Sequence, residues 1–138
     1  MQLAILEKQQ FDFSSLQAST STVFVVHRAI DVMEWPRAAL QVRVHSVDIG
    51  TNASIDVKVD IVSQTPEDPG VDFVLDGTSV SIDDAVTAPT LLEPVVLGGM
   101  GAALRLSIEG NQASTPTNVK ATISADLILK PRVVPPLT

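Results

Sequence analysis

Two segments alternate apolar and polar residues almost without a break. Between positions 55 and 61 the odd residues are Ile55, Val57, Val59 and Ile61, with Asp56, Lys58 and Asp60 between them. Between 119 and 129 the odd residues are Val119, Ala121, Ile123, Ala125, Leu127 and Leu129; Lys120, Thr122, Ser124 and Asp126 face the other way. A strand turns successive side chains to opposite faces, so a period of two buries one face and wets the other. The expected inward set is Ile55, Val57, Val59, Ile61, Leu104, Leu106, Ile108, Ile123, Ala125 and Leu127. A slip of one residue would invert it.

Further strands are expected at 22–30, 39–47, 53–63, 71–75, 79–83, 90–97, 103–109 and 119–130, with a first strand at 3–8. Clusters rich in Gly, Pro, Asn and Asp separate them, notably 48–52, 64–70, Asp76-Gly77, 98–101 and 110–118. Gly and Asn accept positive φ, and Pro removes a donor, so each cluster ends a ladder. No stretch sustains a helical period. The pattern predicts an all-β fold, an antiparallel β-sandwich of jelly-roll-like form with about eight strands. Residues 38–45 and 102–109 echo each other, as two strands in equivalent places of two sheets would. Asp60, Asp56 and Lys58 are expected opposite Gln41, Arg43 and His45 across a hairpin spanning 39–63. Trp35, in the turn before Pro36, is expected to plug one end of the sandwich.

The ends read differently from the middle. Residues 1–21 form an N-terminal arm that includes the first strand, 22–130 the sandwich, and 131–138 a Pro-rich tail. Ser/Thr/Gln-rich linkers have reach, and a Pro-rich tail stays extended outside a ladder. The arms are expected to contact other chains through Leu3, Ile5, Phe11, Phe13, Val133, Val134 and Leu137.

Composition narrows the function. At 138 residues the chain is one domain, long enough to hold a core without staples, and it has no cysteine for a disulfide, thiolate or zinc site. A net charge of −7 with scattered basic residues argues against nucleic acid. The start of the chain lacks the basic and apolar regions of a signal peptide, and no run suits a membrane span. The expectation is a product made in the cytoplasm that stays soluble unless another machine carries it out. Mean hydropathy is +0.28 with only 4% aromatics. Either an aliphatic sandwich core or apolar surface covered by a partner gives that value.

Candidate chemistry is sparse. His27 and His45 are the only imidazoles, both on strands, and no G-x-S-x-G elbow accompanies them. Glu67, Asp68, Asp72, Asp76, Asp83 and Asp84 are crowded together, but apolar residues fall where a calcium loop needs ligands. They read as solubilising loop and edge residues, with a loop-bound calcium left open. The glycines at 98, 99 and 101 lack the Lys and Ser/Thr of a phosphate loop and read as a hairpin. Neither a catalytic set nor a cofactor is expected.

The segments ALQVRVHS, SIDVKVDIVSQTPEDP, ALRLSIEG and ISADLILK follow a Trp-containing turn in that order. This succession resembles small β-sandwich structural proteins of tailed bacteriophages: minor capsid, decoration or tail-associated. The resemblance implies a non-enzymatic virion component, a homo-oligomer bound to a major capsid or tail protein. It carries over no site residues. The alternative is a carbohydrate-binding β-sandwich module, which would need exposed aromatic rings for sugars.

Overall fold

The computed structural model describes residues 2–31, 37–63, 73–97 and 103–130. Nine strands run in chain order: β1 (Gln2–Asp12), β2 (Ser21–Asp31), β3 (Arg37–Ile49), β4 (Ser54–Ser63), β5 (Phe73–Ile82), β6 (Thr90–Leu91), β7 (Val95–Leu97), β8 (Ala103–Asn111) and β9 (Val119–Lys130). One sheet has the order β1-β9-β3-β6, with β7 also on β3; the other is β2-β8-β4-β5. Every pairing is antiparallel. The result is a two-sheet, all-β sandwich.

The alternation expected from the sequence sets the interior. All ten expected inward positions are buried, from Ile55 on β4 to Leu127 on β9. The echo between 38–45 and 102–109 has a structural counterpart. Leu40, Val42 and Val44 line β3, and Leu104, Leu106 and Ile108 line β8, an inner strand of each sheet.

The expected hairpin between β3 and β4 does not form, because the two strands lie in different sheets. Their connection is a corner, closed by the Ala53 N–H on the Gly50 carbonyl at 3.3 Å with Asn52 at φ 66°. Alternation marks which face is buried but not which sheet a strand joins, so the charge partners move. Arg105 on β8 binds Asp60 at 2.8 Å, and Lys58 binds Glu109 at 3.0 Å. The segment 98–101 read as a hairpin lies outside the described residues, and the strands on either side of it belong to different sheets.

Two strand boundaries also differ from expectation. Asp76-Gly77 is no turn, since β5 runs through it and Gly77 pairs with Asp60. A Cβ at Gly77 would run into the Asp60 carboxylate that holds Arg105. Glycine is there for space. Gly77→Ala is therefore expected to cost about 1–3 kcal/mol by displacing that ion pair, read as a lower midpoint in urea. The expected strand at 90–97 is split into β6 and β7 around Pro94, which has no N–H for a ladder.

The N-terminal segment belongs to the sandwich. β1 pairs along β9, and Ile5, Leu6 and Phe11 are buried in the chain's own core. A register shift between Ala4 and Leu6 lets the neighbours Ile5 and Leu6 both turn inward. Phe13 lies over Gly110, where a Cβ would strike its ring, and stacks on Phe11, which also meets Phe24. This phenylalanine cluster closes one end of the core; Trp35 lies outside the described residues.

The polar connection after β1 is bonded down. Phe13 N–H donates to the Val119 carbonyl at 2.7 Å, and Ser19 N–H to that of Ala113 at 3.0 Å. Gln112 organises the facing loop from a buried position. Its Oε1 accepts from the N–H groups of Ala113 and Thr117, and its Nε2 donates to the carbonyls of Ser14 and Thr117. Both lone pairs and both amide hydrogens are thus used.

Asp12 accepts from Ser14, and this bonding, helped by the Lys120 charge, holds its carboxyl below the ordinary 3.8. A carboxyl depressed in the folded state stabilises above its unfolded pKa and loses that contribution as pH falls through the folded one. Asp12→Asn should therefore flatten the acid limb of stability below about pH 4, measured by urea midpoints.

Candidate functional site

On their outer faces the inner strands of both sheets carry polar side chains that pair with one another or with neighbouring polar groups. On β4 and β8 the Arg105–Asp60 and Lys58–Glu109 bridges lie across neighbouring strands. Asn111 donates to Ser54 and Asp56 and accepts from Ser21, tying β2, β8 and β4 together. Asp56 Oδ1 is the one buried side-chain oxygen without a partner among the described residues. On the other sheet, Gln2 donates to Asp126 and Asn118 to Asp48.

The only imidazole in a polar contact among the described residues is His45. Its Nε2 lies 2.9 Å from Ser124 Oγ, a distance suited to a nucleophile and its base. A working triad also needs a third group that orients the imidazole. Among the described residues no carboxylate bonds the ring, and Ser124 stands mid-strand on an open sheet face. Arg43 and His45, with Pro89, Thr90 and Leu91, line a shallow cleft of about 270 Å³ beside this pair. His27 is exposed on β2. Asp83 and Asp84 sit in the loop after β5, while Glu67, Asp68 and Asp72 lie outside the described residues. Among the described residues no three His, Asp or Glu side chains converge as a metal site would require. Among the described residues no helix is long and apolar enough to cross a membrane.

What departs from an ordinary surface is where the apolar side chains stand. The exposed large hydrophobics of the described residues are Val23 (53%), Phe24 (51%), Val25 (48%), Leu91 (48%) and Val96 (75%). All five are on edge strands: β2 at one edge of its sheet, β6 and β7 at one edge of the other. Where side chains are described, the opposite edges expose polar residues. β1 exposes Glu7, Lys8, Gln9 and Gln10, and β5 exposes Ser79 and Ser81. Phe11 of β1 touches Phe24 of β2, and β7 packs beside β5, so the two apolar edges lie on opposite flanks.

Of the contact residues expected on the arms, Leu3, Ile5, Phe11 and Phe13 pack against the chain's own core, and β1 pairs along β9. Val133, Val134 and Leu137 lie outside the described residues. The β2 run Val23-Phe24-Val25-Val26 was read only as a strand. Its signal was available, since four consecutive apolar residues break the period of two and leave some on the wet face.

No protein-family model, no curated protein and no solved structure matches this chain.

Proposed function

We propose that this chain is a non-enzymatic structural component of a phage-like virion, made in the host cytoplasm and joined to a capsid or tail-associated assembly by protein–protein contacts. The observation that carries the reading is that all five exposed large hydrophobics of the described residues stand on edge strands on opposite flanks. Monomers guard their edges with charge, proline or bulges, because unpaired N–H and C=O groups recruit other strands. Apolar edges suit a protein held between neighbours.

Strand order supports the choice of particle. With β6 and β7 counted as one interrupted strand, the orders β1-β9-β3-β6 and β2-β8-β4-β5 are compatible with a jelly roll, an architecture shared by viral capsid and lectin domains. The lectin branch is disfavoured by the surface: of the described aromatic rings, Phe11 is buried, Phe13 partly so, and Phe24, half-exposed, is a single ring already packed on Phe11. The open Ser124–His45 pair, without an orienting carboxylate among the described residues, favours a scaffold over a catalyst.

Sedimentation of particles through a density gradient tests this reading. The chain is expected to travel with intact particles, and a His27→Ala/His45→Ala variant to travel equally well. A chain that stays at the top of the gradient, or one whose measured turnover is abolished in the folded double variant, contradicts it.

A further inference from the structure

We propose that β2 pairs antiparallel with β2 of a second copy of this chain, joining two four-stranded sheets into one continuous sheet of eight. The inference rests on the structural reading above and names the first contact it requires. Among the described residues β2 is an edge strand, bonded only to β8 within its sheet. Its backbone groups on the far side face no described strand of that sheet, the arrangement that strand addition uses.

The side chains fit a partner of the same kind. Positions 21–26 read Ser-Thr-Val-Phe-Val-Val, with no charge, proline or glycine. Residues 21–25 keep an unbroken register with β8 before the shift at Val25/His27, which leaves a straight run of five for pairing. Val23 and Val25 share the outer face with their register partners Glu109 and Ser107, while Phe24 points inward to Phe11. The Val-Phe-Val triplet is symmetric about Phe24. An antiparallel two-fold pairing there sets Val23 beside Val25 and Phe24 beside its equivalent, an isologous contact.

Charge selects the same edge. Two copies each carrying −7 repel, so they approach best where no ionised group stands. Residues 21–26 are such a place. β1 is guarded by Glu7 and Lys8 and interrupted by two register shifts. β6 and β7 are short and divided by Pro94. A basic partner would call for an acidic edge, which β2 does not present.

Sedimentation equilibrium of the full-length chain at about 100 μM is the test, with dimer expected and strengthened by about 0.5 M salt as the repulsion is screened. Val25→Lys should raise the dimer Kd at least about tenfold, while Val96→Lys on the opposite flank leaves it unchanged. Phe24→Cys, in a chain with no cysteine of its own, should form an intermolecular disulfide on mild oxidation, because position 24 alone faces its own equivalent in this pairing. A monomer at that concentration overturns the pairing, even if the chain still travels with particles. A dimer indifferent to Val25→Lys and refractory to cross-linking also overturns it, and leaves assembly through another surface. A dimer from a chain that never enters particles would uphold the pairing and contradict the virion reading.

Discussion

Gln112→Glu is expected to lower stability by about 4 kcal/mol, a large part of what a domain of this size has. The amide donates to the Ser14 carbonyl at 3.3 Å and the Thr117 carbonyl at 3.0 Å from a site only 5% exposed. A carboxylate there loses both donors and sets negative oxygen against two carbonyls. Its other oxygen can still accept from Ala113 and Thr117, so the loop keeps half its bonds. Because burial and the facing carbonyls raise the new carboxyl's pKa above its unfolded value, the penalty is largest at neutral pH. It shrinks as pH falls through that raised value, where a protonated oxygen regains one donor. Urea unfolding at about pH 7 and pH 5 should show a smaller deficit at the lower pH. Equal deficits would mean that the loop has rearranged to hydrate the side chain.

Leu106→Ala should cost about 3 kcal/mol. Leu106 is fully buried on β8, opposite Val59 of β4 and His27 of β2. β4 is held from its other side by the ladder to β5, so the cavity cannot easily collapse, and the lost transfer energy adds to the lost contacts. The denaturant slope should stay constant while the midpoint drops, the sign of a stability change without a change of fold. Val96→Ala, at an exposed site on β7, serves as the contrast and should change stability little.

Much of the interior was legible because a period of two is a direct physical signature. Residues 55–61 and 119–129 each had one face with nowhere to go but inward, and Val57 and Ile123 are there. Sheet membership was not legible. Alternation is identical whether β4 lies beside β3 or across the core from it, and only the corner at Gly50–Ala53 decides. Gly77 misled for a related reason. Glycine marks turns because it tolerates positive φ, but here it leaves room for the Asp60 carboxylate. In the N-terminal segment the sequence marks a first strand at 3–8, but irregular apolar spacing conceals its full length and its two register shifts. Those shifts put Ile5 and Leu6 side by side in the core, a pattern that no simple period produces.

The candidate surface was half visible. The run Val23-Phe24-Val25-Val26 is plain in the sequence, yet a central strand buried on both faces would read the same way. Only the sheet order shows β2 at an edge, and only then does its apolar character become a statement about partners. His45 illustrates the converse. The sequence set it among polar neighbours, and its bond to Ser124 needed the β3–β9 register to appear.

The central claim is that this chain serves as a part of a particle, and copy number tests it most directly. Purified particles, washed in high salt and dissociated, would be quantified for this chain against the major shell protein by mass spectrometry with labelled standards. The account predicts one fixed ratio across preparations, unchanged by the wash, as symmetric placement demands. A ratio that drifts between preparations and falls toward zero on washing would contradict it.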